Sequence, residues 1–209
     1  EDIQRFGADG ITIHPRPDER HIRYKDAIDL GKSVHKEFNI EGNPIDKFID
    51  LVILIKPTQV TLVPDDINAI TSNAGWNTKK HWNYLKSVID EFKKAQIRTS
   101  IFVDPDLEMV EYAKKTGTDR IELYTEEFAK KYELGELSSI EAYAACSSLA
   151  NELEIGVNAG HDLSLQNIEF FAKNIPYLEE VSIGHALISE SIYLGIDNVI
   201  NLYIDKLNR

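Results

Sequence analysis

Two histidines and two arginines crowd the segment Ile11 to Ile22, ITIHPRPDERHI: His14, Arg16, Arg20 and His21. An imidazole titrates near neutrality and can take or give a proton, while a guanidinium is a permanent cation whose planar fork suits phosphate oxygens. Pro15 and Pro17 keep the segment out of a helix, because proline restricts its own backbone and that of the residue before it. Such a loop fits a phosphorylated substrate that must exchange protons; the plainer alternative is a solvated basic loop. Two more stretches carry similar chemistry. Asn158-Ala-Gly-His161-Asp162 and Ser182-Ile-Gly184-His185 each bring a glycine and a histidine to a turn. The glycine lets backbone N–H groups approach a ligand, and a helix starting just after Gly184 would offer its positive end to phosphate. Glu41 in NIEGN and Glu122 in RIELYT add carboxyl groups, which are scaffold if alone and acid/base candidates beside imidazoles.

These residues share a position relative to the expected elements. β-Branched runs predict strands near residues 11, 39, 59, 98, 120, 154 and 181. Their expected extents include Asn39 to Asn43, Gln59 to Val63, Arg98 to Val103, Arg120 to Thr125, Glu154 to Asn158 and Glu180 to Ile183. Helices are expected between them: Glu1 to Gly7, Lys25 to Phe38, from Pro44, around Leu85 to Phe92, Leu107 to Lys115, Glu126 to Lys131, Ser139 to Leu153, Leu165 to Asn174, and from Ala186 onward. Sustained alternation means a parallel sheet wrapped by helices. No Gly-x-Gly-x-x-Gly follows a strand, so a dinucleotide site is unsupported. Seven strands fall one short of the eight-stranded barrel, and the chain opens in a helix. The expectation is a single α/β domain over residues 1–209, a (β/α)8 TIM barrel whose first strand is absent from this sequence; a seven-stranded open sheet is the alternative. In a barrel the active site lies at the C-terminal strand ends, where His14, His21, His161 and His185 fall. His35 and His81 are assigned to helices.

Composition narrows the function class. The 209 residues are 43% hydrophobic and 28% charged, with a net charge of -12. That charge disfavours nucleic acid and anionic membrane surfaces as partners while allowing a local basic pocket. No apolar run approaches the roughly 20 residues of a membrane span. The lone Cys146 fits a reducing, cytoplasmic setting and reads as core filler. No His, Cys, Asp or Glu cluster has metal-ligand spacing, and Asp65 with Asp66 reads as a solvated turn rather than a cation site.

Taken in order, HPRPDERHI, NIEGN, QVTLVPDD, VNAGHD and SIGHALIS closely resemble the pyridoxine 5′-phosphate synthase family, the ring-closing enzymes of vitamin B6 biosynthesis. The resemblance runs from about residue 7 to the end. It implies a barrel that assembles as an octamer, uses no metal or organic cofactor, and takes small phosphorylated substrates. Those are 1-deoxy-D-xylulose 5-phosphate and 3-amino-2-oxopropyl phosphate, joined with release of inorganic phosphate and water. By resemblance His14 and Glu41 are proton acceptors and His161 is the proton donor. Arg16, His21 and Thr71 fall where the family contacts the deoxyxylulose phosphate; Asp162, Gly184 and His185 fall where it contacts the aminoketone phosphate. Glu122 and Tyr124 stand at a Glu-x-His run of the family, making Glu122 a fourth acid/base candidate. The chain departs from the pattern in three places. Asp162 replaces a glycine of some members, Thr71 to Gly75 (TSNAG) replaces a TTEGG-like loop, and the family's first strand has no counterpart. Two further readings stay open: another phosphosugar-handling barrel, an isomerase or lyase, and a barrel that binds phosphate without turnover.

Overall fold

A computed structural model describes residues 1–65 and 72–208. Thr71 and Asp66 therefore lie outside the described residues. Seven strands form one parallel sheet in sequence order: β1 Gly10–Ile13, β2 Glu37–Gly42, β3 Gln59–Leu62, β4 Arg98–Val103, β5 Arg120–Tyr124, β6 Gly156–Gly160 and β7 Leu178–Ser182. Each strand pairs with its successor, from Gly10 opposite Glu37 to Gly160 opposite Ser182. The sheet curls into a nearly closed barrel wall, with β1 and β7 at its two edges among the described residues. The helices before, between and after the strands are α1 Asp2–Arg5, α2 Tyr24–Ser33, α3 Asp46–Ile55, α4 Thr78–Lys94, α5 Leu107–Thr116, α6 Glu126–Glu133, α7 Ile140–Glu152, α8 Ile168–Asn174, α9 His185–Leu194 and α10 Ile196–Leu207.

Alternate strand residues face opposite sides of the sheet, and the two sides differ in chemistry. Phe38, Ile40, Val60, Leu62, Ile101, Val103, Ile121, Leu123, Val157 and Ala159 face outward and form the core with Phe48, Leu85, Ile89, Phe92, Phe128 and Phe171 of the helices. The barrel interior is polar. At its floor Arg98 bridges Glu37 and Gln59, and Arg120 reaches Asn158 at 3.0 Å, Glu180 at 2.9 Å and Glu179 at 2.7 Å. Above it Asn39 is bonded to Thr12 and Thr61, and Glu122 is 3% exposed. Burying so many polar groups is costly unless they bond one another, which both layers achieve in part: Gln59 Nε2 and Asn158 Nδ2 at the floor and Glu122 Oε2 above it have no hydrogen-bond partner among the described residues. Cys146 is buried in α7, its thiol pushed up to about 12 by burial.

The differences from expectation have local causes. The helix expected over Lys25 to Phe38 stops at Ser33, because Val34 is extended and the Gln4 side chain of α1 accepts from the N–H groups of His35 and Lys36. His35 is thus exposed in a loop rather than helical, while His81 is in α4. Pro44 does not start α3, which begins at Asp46. The Asn167 side chain accepts from the Ser164 N–H, so residues 164–167 form a turn and α8 begins late. The last helix is two, broken at Gly195, whose φ of 79° is outside the helical region.

Candidate active site

All seven strands run the same way, so their C-terminal ends share one rim. β1 delivers His14, and Pro15 and Arg16 turn inward after it. The Arg16 guanidinium, 8% exposed, lies 3.0 Å from Asp65 Oδ2, and His14 Nε2 lies 4.0 Å from the same oxygen. Burial pulls the His14 imidazole down to about 4, helped by the Arg16 charge, with Asp65 opposing. His14 is therefore neutral at physiological pH, and the same burial and Arg16 charge make it a weaker base than a free imidazole. His14, Arg16, Gly42, Asn43 and Asp65 enclose a small cavity of about 10 Å³, room for about one water.

Glu41, the penultimate residue of β2, points into the barrel. Burial pushes its carboxyl up to about 7, reinforced by the negative charges of Asp65 and Glu180 and opposed by Arg16. Glu122 of β5 sits within the same field. Burial first, then Glu41 and Glu180, hold its carboxyl well above the ordinary range. The two acids thus share one low-dielectric space in which both cannot readily ionise. Gly160 of β6 makes room for this arrangement: a Cβ there would stand 2.2 Å from Glu122 Oε1.

β6 leads into His161 and Asp162, which adopt φ of 80° and 59°. Two successive left-handed residues are strained, and here the surroundings impose them. The Thr125 hydroxyl donates to the carbonyls of Gly160, at 2.8 Å, and His161, and the Asn167 amide donates to the Asp162 carbonyl at 3.2 Å. The His161 ring meets Tyr124 edge-on at 4.9 Å, and its Nδ1 lies 3.0 Å from Asp162 Oδ2. Asp tolerates the left-handed conformation better than most residues, which accounts for its place where a glycine would be easiest. At the end of β7, Gly184 caps α9 and His185 opens it, both exposed, with no neighbouring atom within 4 Å of a Cβ position on Gly184. The first N–H groups of α9 thus face an open rim suited to an anion.

The structure brings His14, Arg16 and Glu41 together on neighbouring strand ends, with His161, Asp162, Gly184 and His185 on the β6 and β7 side of the same rim. His21 is exposed, and the Arg20 Nε donates to it at 3.3 Å; it lies near enough to His14 to bear on its charge. Asp65 overturns its expectation of a solvated turn: its side chain is 5% exposed and is bound by Arg16 and by the Ser72 hydroxyl at 2.7 Å. Thr125 and Asn167, which hold the His161 turn, carried no sequence signal. Among the described residues no group of three or more His, Cys, Asp or Glu could hold a metal ion.

A family model described as pyridoxal phosphate biosynthesis protein PdxJ matches residues 1–209. The chain belongs to that family. It is 68% identical over 206 residues to the pyridoxine 5′-phosphate synthase of Flavobacterium johnsoniae, covering 99% of this chain and 87% of the relative. It is 61% identical over 207 residues to the protein of that name from Christiangramia forsetii, with 99% and 87% covered. Among solved structures it is similar to 3-keto-L-gulonate-6-phosphate decarboxylase from Vibrio cholerae, with a TM-score of 0.70 at 9% identity over 100% of this chain and 88% of that one. Phosphoribosylanthranilate isomerase from Thermotoga maritima gives a TM-score of 0.60 at 13% identity, covering 99% and 90%. At such identities the likeness establishes the α/β TIM-barrel fold of this PdxJ-family chain and nothing of its chemistry.

Proposed function

We propose that this chain is a pyridoxine 5′-phosphate synthase that condenses 1-deoxy-D-xylulose 5-phosphate with 3-amino-2-oxopropyl phosphate, releasing inorganic phosphate and water. Membership of the PdxJ family supports the reaction class. The observation that carries the mechanism is the pairing of a neutral His14 with a Glu41 balanced near pH 7 on adjacent strand ends. Joining an amine to a ketone and expelling water needs protons taken from carbon and nitrogen and given to a leaving oxygen. His14 and Glu41 take them, and His161 donates. Glu122, beside Glu41, is a fourth acid/base group: its neutral acid can pass a proton to an ionised Glu41 and recover one afterwards as the carboxylate. Arg16, His21 and Thr71 contact the deoxyxylulose phosphate. Asp162, Gly184 and His185 contact the aminoketone phosphate, which the α9 N–H groups hold and the product retains; the phosphate that departs is that of the deoxyxylulose substrate, where the Arg16 guanidinium stabilises it.

The reading takes residues 1–209 as one barrel domain, with the seam between β1 and β7 as the place for an eighth strand. Its partners are small phosphorylated molecules and copies of itself in an octamer, and its setting is cytoplasmic. The lone buried Cys146 supports that setting, and among the described residues no helix is long and apolar enough to cross a membrane. The test supplies both substrates and follows pyridoxine 5′-phosphate and free phosphate. His14→Asn and His161→Asn should each lower turnover at least ~100-fold, the scale of a general acid or base. A variant that keeps full activity removes its residue from the mechanism; a folded parent chain that makes no product removes the reaction.

A further inference from the structure

We propose that Asp65 is a positioning residue: its carboxylate fixes the Arg16 guanidinium in one orientation and lends its charge to Glu41, an inference that rests on the roles given to those two groups above. Asp65, just after β3, is contacted by groups that follow β1 and β2, and β5 reaches it through Ser72. Its Oδ2 lies 3.0 Å from Arg16 Nη1 and 4.0 Å from His14 Nε2, both following β1. The Ser72 hydroxyl donates to the same oxygen at 2.7 Å. The Asn43 amide, just beyond β2, donates to the Asp65 main-chain carbonyl at 2.8 Å, so the residue is held from its backbone as well. The Tyr124 hydroxyl at the end of β5 reaches the Ser72 carbonyl at 3.4 Å, and the Tyr124 ring backs His161. Asp65 is thus the node through which the β1 side of the rim is registered against the side that carries the proton donor.

Stability does not explain the pair. Bringing a carboxylate and a guanidinium out of water costs about what their attraction returns, so a buried pair contributes geometry more than stability. Geometry is what a phosphate site needs. Arginine has many rotamers, and a fork held at Nη1 by a fixed anion is presented in one plane. The charge has a second effect. The groups facing Glu41 are Asp65 after β3, Glu180 from β7, Arg16 after β1 and Glu122 from β5; those facing His14 are Arg16, Arg20, His21 and Asp65. Among these, Asp65 is the anion that adds most to the effect of burial in raising the proton affinity of Glu41.

The test compares Asp65→Asn, Asp65→Glu, Arg16→Met and the double variant Asp65→Asn/Arg16→Met with the parent chain, measuring kcat and KM for each substrate between pH 5.5 and 8.5. Circular dichroism checks folding. Asp65→Asn should raise KM for the deoxyxylulose phosphate about tenfold or more, the scale of losing a charge-assisted bond. It should also move the acidic limb of kcat/KM to lower pH, since Glu41 loses a neighbouring anion. Asp65→Glu, which keeps the carboxylate, should recover most of both. In the Arg16→Met background, Asp65→Asn should add nothing further to KM. A folded Asp65→Asn with parental KM and an unmoved limb would overturn the proposal, as would effects of Asp65 and Arg16 that simply multiply. Should Asp65→Asn alone fail to fold, the double variant, which buries no unpaired charge, decides by the same KM comparison with Arg16→Met. A parent chain without turnover would count against the synthase reading only. Calorimetric binding of inorganic phosphate would then be compared in the same four variants, and parental affinity in a folded Asp65→Asn would overturn the positioning role.

Discussion

Replacing Glu41 with Gln should make the protein more stable at alkaline pH and less active at every pH. The magnitude follows from the carboxyl environment. Burial, with Asp65 and Glu180 nearby, raises the group from an ordinary value of 4.5 to about 7. Below pH 4.5 the acid is protonated in both folded and unfolded chains, and its full stability contribution is present. As pH rises through about 7, the folded chain must ionise a group that the unfolded chain ionised earlier, and that contribution is lost. The difference between the two values corresponds to roughly 3 kcal/mol by pH 8 and above. Glutamine has nearly the shape of the neutral acid and never ionises. Urea unfolding of parent and variant, repeated from pH 4.5 to 8.5, should therefore give curves that nearly coincide at the acid end. They should separate by up to roughly 3 kcal/mol at the alkaline end, the variant being more stable. Turnover should fall at least ~100-fold in the same variant if Glu41 is a proton acceptor. A stability difference that does not change with pH would refute the argument, because it would show that the Glu41 carboxyl titrates alike in the folded and unfolded chains.

Two further substitutions probe how the rim is held. Thr125→Val keeps the volume of a fully buried side chain but removes the hydroxyl that donates to the Gly160 and His161 carbonyls. It should cost about 1–3 kcal/mol in urea unfolding and lower kcat more than it raises KM, since the strained His161 turn relaxes. Parental kcat would separate that turn from catalysis. Gly160→Ala would press a methyl group to 2.2 Å from Glu122 Oε1. Turnover should drop at least ~10-fold with about 1–3 kcal/mol lost in stability, and unaltered kinetics would show that the Glu122 position is unimportant.

The rim was legible in sequence because topology does most of the placing. Once strands and helices alternate, every strand end faces one side, so His14, Glu41, His161 and His185 could be gathered without any contact being known. Helix ends were less legible because side chains from elsewhere decide them: Gln4 stops α2 by accepting from His35 and Lys36, and no feature of residues 25–38 announces it. The electrostatics were less legible still. Asp65 looks like an ordinary acid before a loop, and only the inward turn at Pro15 and Arg16 buries a guanidinium against it. Glu122 looks like scaffold until the polar barrel interior places it in the field of Glu41 and Glu180. Sequence supplies the groups and their rim, whereas proton affinity depends on burial and on neighbours from other strands. That is why the protonation of Glu41, rather than its presence, is the property that most directly tests how this site works.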